Sequence, residues 1–481
     1  MQPSNSIEGG RNLVQCCSPD NSAQSLLPTS TYPSCLMITL RQFVPNAVAW
    51  AACAVLAMPA HAQNLADLYE AARGFDSALQ SAKAQLDANQ YKVDQARAAF
   101  LPRVALVAGV SATYLAVAPD PSPVSDRGFG AANAAVNGLY SLYAPVNRVN
   151  VDLAGKSISQ AQAQLALVEQ DLVLRVAQAY FDVLAANDSL TFVRAQKEAV
   201  AQQLASAKRN FEVGTSTITD TREAQARFDL VIAQEIAAEN DLRVKRLTLD
   251  QVVGKGGTEP KAVALPLVLP AILPADVDSW VQQAQQDHPN VRLAQTGLDV
   301  AILETEKARA GDKPTLDLVG KIDSTRNQGS SVSSTGTWVG SGTVGLNFNL
   351  PLYSGNLVQN RIRETLALEE KFRSDVEGAR RAVSQATRAT YYGLLSGQGQ
   401  VKALEAAEVS SQSALDANKL GYQVGVRINI DVLNAQSQLF QTKRDLAKAR
   451  YDVLVGSLRL RQANGTLRAE DLQGINALLL K

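Results

Sequence analysis

Residues 421–435 read Gly421-Tyr422-Gln423-Val424-Gly425-Val426-Arg427-Ile428-Asn429-Ile430-Asp431-Val432-Leu433-Asn434-Ala435, and an earlier version of the same segment opens with Phe211-Glu212-Val213-Gly214. Aligning Gly214 with Gly425 gives an offset of 425 − 214 = 211. The match continues with Asp220 on Asp431, Ala224-Gln225 on Ala435-Gln436 and Gly254 on Gly465. Upstream, Gln95-Ala96-Arg97-Ala98-Ala99-Phe100-Leu101-Pro102 recurs as Lys307-Ala308-Arg309-Ala310-Gly311-Asp312-Lys313-Pro314, an offset of 314 − 102 = 212. A register held across half the chain is the signature of two tandem copies of one structural unit. The copies are expected over 63–256 and 275–466, with a Pro- and Leu-rich connector at 257–274 and a tail at 467–481.

Each copy opens on a helical stretch. Residues 65–100 lack proline and are rich in Ala, Gln, Lys and Asp, so one helix is expected there. Pro102 and Pro314 stop the two opening helices, because proline pushes the residue before it out of helical geometry. Alternation follows. Val104, Leu106, Ala108, Val110, Ala112 and Tyr114 share one face of a strand, and Val344, Leu346, Phe348 and Leu350 share one face of another. Hairpins are therefore expected at 103–146 and 315–351, with loops rich in Pro, Asp, Ser and Gly at 118–134 and 327–337. Alternation alone does not choose between a half-buried soluble sheet and a membrane barrel with lipid outside and water inside.

The next segment is helical for far longer than globular helices run. Residues 148–211 contain no proline, and Leu165, Val168, Leu172, Val176, Ala179, Val183, Ala186, Leu190 and Val193 recur at spacings of three and four. At about 1.5 Å per residue this helix reaches roughly 100 Å. A counterpart is expected over 356–423, and shorter helices over 220–253 and 431–464 complete a helical hairpin in each copy. Four strands cannot close a barrel, since bacterial barrels need at least about eight, and an open edge cannot sit in lipid. If the strands enter a membrane, several chains must pool them.

The first 62 residues read as an export leader: a start at Met37, Arg41, an apolar run over 47–58, and cleavage after Ala62 in Ala60-His61-Ala62. Cys16, Cys17, Cys35 and Cys53 all fall inside it, so the exported part has no disulfide framework, thiolate nucleophile or Cys-based metal site. Trp50 stands three residues before Cys53, where a lipid-anchor signal needs an aliphatic residue. His288 is the one histidine past the leader, and no Gly-rich phosphate loop or nucleophile elbow occurs. The sequence therefore points away from enzymes and implies no cofactor. With 46 basic and 46 acidic residues, it has no basic footprint for nucleic acid.

On these segments the exported part, from about Leu65 to Leu472, resembles the TolC family of outer-membrane efflux channels, most specifically in residues 421–435. The resemblance implies a mainly α fold with a β-barrel part. Three chains would pool four strands each into a 12-stranded outer-membrane barrel above a long coiled-coil helical barrel crossing the periplasm. It implies docking onto a periplasmic adaptor (a membrane fusion protein) and an inner-membrane transporter, ABC-type or proton-driven. It further implies a gate: Tyr422, Arg427 and Asp220 as a latch, Asp431 as an acidic ring at the constriction, and Val213, Gly214, Val424 and Gly425 as tip turns that meet the adaptor. The family's second acidic ring falls here on Asn434, so a single ring is expected to attract cations less strongly.

Read without the resemblance, Asp220 and Asp431 are helix-starting acids, with Asp220-Thr221-Arg222-Glu223 in the form of a capping box. Tyr422 is then a packing residue, Arg427 a solvated loop residue, and Gly214 and Gly425 turn formers. The expected function is a passive exit duct for type I protein (toxin) secretion, favoured by the missing lipid anchor. The alternatives are the outer component of a tripartite drug efflux pump, and a periplasmic coiled-coil adaptor or scaffold.

Overall fold

The computed structural model describes residues 63–117, 125–264, 266, 267, 269–329, 333 and 335–480. The expected export leader lies outside the described residues. The first copy contains α1 (Leu65–Phe75), α2 (Ser77–Arg97), a 3-10 turn (Ala98–Phe100), β1 (Arg103–Val117), β2 (Ser125–Tyr143), α3 (Pro145–Glu212) and α4 (Ile218–Val253). The second contains α5 (Val277–Asp287), α6 (Pro289–Ala310), β3 (Thr315–Asn327), β4 (Thr337–Asn349), α7 (Leu357–Gln423) and α8 (Asn429–Ala463). A short α9 (Asp471–Asn476) follows.

The helix expected over 65–100 is broken. Asp76 is extended, and its side chain accepts the Leu79 N–H at 2.7 Å to cap α2. The carboxylate also pairs with Arg175 of α3 at 2.9 Å. The second copy breaks at the matching place, where His288 Nδ1 accepts the Asn290 N–H at 3.0 Å to cap α6. The offset is again 288 − 76 = 212, and α1 and α5 have 11 residues each. Helix propensity does not show the first break, because Asp tolerates helix interiors, whereas Pro289 marks the second by pushing His288 out of helical geometry. The break leaves α1 free to tuck Leu65, Leu68, Tyr69 and Ala72 into the core beside the middle of α3.

α3 is the spine. Its 68 residues start on Pro145, which needs no N–H partner there, and run roughly 100 Å at 1.5 Å per residue. Leu172, Val176, Ala179, Val183, Ala186, Leu190 and Val193 of the expected seam are buried, and Leu165 and Val168 pack against the same core. α3 contacts α2, α4, α6 and α8. Midway, the Phe181 ring stacks on Tyr451 of α8 at 5.7 Å, and Tyr451 donates to the Asp188 carboxylate at 2.6 Å. The Tyr180 hydroxyl donates to the Lys261 carbonyl at 2.8 Å and ties the connector to the spine. No helix among the described residues is long and apolar enough to cross a membrane.

The four strands form one antiparallel sheet in the order β1-β2-β3-β4, so β1 and β4 are both open edges. β2 begins at Ser125, so the loop expected over 118–134 is shorter than the alternation suggested; Gly and Ala in 128–134 weaken the strand pattern without preventing pairing. The pairings Leu106↔Val136, Val136↔Ile322, Tyr140↔Leu318 and Leu318↔Leu346 place apolar residues of all four strands on one face, in two rows of three strands each. Asn137↔Lys321↔Thr343 and Asp323↔Ser341 lie on the other face. The apolar face is uncovered: Val110 is 88% exposed and Val344 81%.

His288 is buried, which depresses its pKa below the ordinary imidazole value of 6.5, opposed by a hydrogen bond to the Gln462 carbonyl. A lowered pKa means the fold prefers the neutral ring, whose Nδ1 can accept. The stabilisation is therefore complete above pH 6.5 and is lost as pH falls through the lowered folded value. Thermal melts of the detergent-extracted protein should show stability falling below pH 6.5, and His288→Asn, which keeps a capping acceptor, should flatten that limb. An equally steep limb in His288→Asn would remove His288 as its source.

Candidate functional site

Two regions are the candidate sites: the uncovered sheet, and the end of the helical hairpins where α3 meets α4 and α7 meets α8. At that end each hairpin turns on a glycine with φ of 77°, Gly214 in one and Gly425 in the other. A side chain at that φ is strained, so both turns require glycine. Around them the surface is apolar: Val426 is 79% exposed, Val213 72% and Val424 64%.

Asp220 sits in the first turn of α4, which starts three residues earlier than the Asp220-Thr221-Arg222-Glu223 reading placed it. The capping box is Thr217 with Asp220: the Thr217 hydroxyl accepts the Asp220 N–H at 3.2 Å, and the Asp220 carboxylate accepts the Thr217 N–H at 3.0 Å. The Ser216 and Thr217 hydroxyls also donate to that carboxylate, at 2.7 and 2.8 Å. Partial burial opposes its charge, but the three donors outweigh it and hold the carboxyl below the usual carboxylate range. Asp431 occupies the first turn of α8 without capping it by its side chain, and pairs instead with Arg427 at 3.7 Å.

The three latch residues line one open cleft of about 680 Å³, together with Asn210, Gln203 and Asn429. Within the chain they do not bond one another. Asn210 Nδ2 donates to the Tyr422 hydroxyl at 3.3 Å, Arg427 takes Asp431, and Asp220 is filled by its own cap. Asn434 lies on an exposed face of α8, where its Oδ1 accepts from the Arg227 guanidinium of α4 at 2.7 Å.

Sequence reasoning missed three residues here. Asn429 is fully buried, accepts from Gln203 of α3 and donates to the Asp220 carbonyl at 3.3 Å, joining the two copies at the tip. Asn210 had only its place beside the repeated Phe211 segment as a signal. Arg227 had none, because its partner is 207 positions away.

A family model described as outer membrane efflux protein matches residues 68–255 and again 280–466. The chain belongs to that family. It is 35% identical over 428 residues to the outer membrane protein TolC of Vibrio cholerae, covering 89% of this chain and 96% of that one. It is 31% identical over 315 residues to the alkaline protease secretion protein AprF of Pseudomonas aeruginosa, covering 64% of each. In fold it matches the crystal structure of the outer membrane protein VceC of Vibrio cholerae, with a TM-score of 0.69 at 18% identity, covering 83% of this chain and 96% of that one. The two segments that match the efflux family each carry one hairpin of strand and one tip turn.

The cap and the latch predict different losses. Asp220→Ala should lower stability by about 1 kcal/mol, the ordinary worth of a helix cap. Tyr422→Phe removes one 3.3 Å contact at a half-exposed site and should cost under about 0.5 kcal/mol. Chemical denaturation of the two variants checks the order, and equal losses would contradict it.

Proposed function

We propose that this chain is the outer-membrane exit duct of a type I protein secretion system, working as a homotrimer. The observation that carries the reading is the four-stranded sheet with an uncovered apolar face and both edges open. In a soluble domain that face would be buried against another layer. Turned toward lipid it needs no cover, and a polar inner face bearing Asn137, Lys321, Asp323 and Thr343 suits a water-filled lumen. Aromatic residues stand at both ends of the strands, with Trp338 toward the loops and Tyr143 and Tyr353 toward the helices, as in interfacial belts.

Three copies supply twelve strands, β4 of one chain pairing with β1 of the next, so that no edge remains in lipid. The helices then extend into the periplasm as a second barrel, with the tip turns farthest from the outer membrane. The exposed valines around Gly214 and Gly425 form the contact for a periplasmic adaptor, which links the duct to an inner-membrane ABC transporter. Tyr422, Arg427 and Asp220 form the latch between neighbouring copies, and Asp431 faces the constriction. The likeness to a chain named for alkaline protease secretion favours protein cargo. The family's description favours small-molecule efflux through a proton-driven pump as the second reading.

Membrane fractionation should recover the protein in the outer membrane as a heat-sensitive trimer, and a soluble periplasmic monomer would overturn the reading. Deleting the chain should stop export of a protein into the medium without changing drug tolerance; the reverse pattern selects the efflux reading. In planar bilayers, Arg427→Ser should raise conductance. Exposed ion pairs are worth about 0.5 kcal/mol each, so three broken links shift the closed-to-open ratio by about tenfold. Unchanged conductance would remove Arg427 from the latch.

A further inference from the structure

The apolar face of the sheet carries one cation among the described residues. Register sets Val110, Ala132, Arg326 and Trp338 side by side on that face, one from each strand. Every other residue on the same face of β1, β3 and β4 is uncharged. The one acid there, Asp126 of β2, stands six residues beyond Ala132, about 20 Å along the strand. Lys321 and Asp323 lie on the opposite face and pair with each other at 3.4 Å. Arg326 is exposed and forms no ion pair, hydrogen bond or ring contact among the described residues.

Its level on the sheet follows from strand geometry. From Leu316, opposite Tyr143 at the helix end of the sheet, to Arg326 is 326 − 316 = 10 residues. At about 3.4 Å per residue and a tilt of about 40° these rise roughly 26 Å, the height of the apolar band in outer-membrane barrels. An outward arginine is costly in the middle of that band and nearly free at its edge. Trp338 beside it marks the same level, as interfacial aromatic residues do. The row beneath is small throughout, with Ala108, Ala134, Ser324 and Gly340 in register. A Cβ on Gly340 would touch only the Asp323 carbonyl, at 3.9 Å, so this row is an open trough. Trp338 Nε1 donates to Ser324 Oγ at 2.8 Å and holds the indole at its side, while the Ser324 hydroxyl keeps its own proton to donate.

We propose that Arg326, aided by the Ser324 hydroxyl and the Trp338 ring, binds the phosphate of an outer-leaflet lipid, so that each chain holds one anionic headgroup at the rim of the barrel. This rests on the channel reading above. A guanidinium presents a planar fork of donors that fits two phosphate oxygens at once, and here all of its donors are unclaimed. Hydrocarbon on one side lowers the local dielectric and strengthens the pair. The lipid's acyl chains cover Ile322 and Val344 below the headgroup, which a free phosphate would leave bare.

Native mass spectrometry of the full-length trimer in an uncharged detergent tests this, with lipid A (a phosphorylated outer-leaflet glycolipid) and its dephosphorylated form as probes. Wild type should bind up to one lipid A per chain and prefer the phosphorylated form. Arg326→Gln should weaken lipid A binding by about tenfold, the worth of one charge-assisted hydrogen bond, and Arg326→Lys by less. Lys321→Gln removes a cation from the opposite face and should change nothing; an equal loss there would mean attraction to net charge and overturn the site. Millimolar inorganic phosphate should leave the lipid bound, and complete displacement would overturn the lipid assignment. A trimer whose lipid A binding is unchanged in Arg326→Gln overturns this inference and leaves the duct intact. Wild-type protein that neither trimerises nor reaches the outer membrane overturns both.

Discussion

The backbone of an edge strand has to find hydrogen-bond partners, and in hydrocarbon water is not among them. Each unpaired N–H or C=O there costs on the order of several kcal/mol. β1 and β4 each present such a row along 13 or more residues. No rearrangement within one chain removes both rows, since four strands are too few to close. Assembly is thus imposed by the sheet, and the geometry of the helices beneath follows from it. α3 and α7 emerge directly below the strands, so a ring of strands requires a ring of helices.

Duplication makes that ring regular. The offset of 212 places the Asp76 and His288 breaks at equivalent heights, and both breaks meet the closing glycine of a helical hairpin. A Cβ on Gly465 would stand 2.7 Å from the His288 Cα, and one on Gly254 would enter the Phe75 ring. Those contacts, together with the Phe181–Tyr451 stack between copies, form a collar around the middle of the long helices. On one side of it lie the sheet and the adjoining helix ends; on the other the hairpins run to the tips at Gly214 and Gly425.

Much of this was legible in the residues. The long apolar seam of α3 and the repeat offsets require only periodicity and subtraction, and they locate both hairpins of strand. Whether the alternating strands face lipid or a soluble core was not legible, because both give the same period. The structure adds that Val110 and Val344 on that face are uncovered within the chain. The first helix break was hidden for another reason: Asp76 caps α2 while pairing with Arg175 across the fold, whereas Pro289 marks the second break in the sequence itself. At the tip, resemblance named Tyr422, Arg427 and Asp220 as a latch, and the structure sets them around one cleft; Arg427 and Asp220 take partners within four residues (Asp431 and the Ser216-Thr217 cap), while Tyr422 takes Asn210 from 212 positions away. Arg227 and Asn429 act through such distant pairs alone.

β2 is the longest strand, with 19 residues against 13 in β3. Its partner β3 gives out at Asn327, opposite Ala131, while β1 continues to pair with β2 as far as Ser125. Gly130 still accepts the Gln328 N–H at 2.7 Å, and beyond it β2 pairs among the described residues with β1 alone. Such a two-stranded ribbon has to be wetted. In the proposed barrel the hydrocarbon would end near Ala131 and Asn327, a level set by hydrogen-bond accounting. Around a threefold ring the β1–β2 pairing would then reach about 20 Å past the last β2–β3 pair, so the paired rim rises and falls.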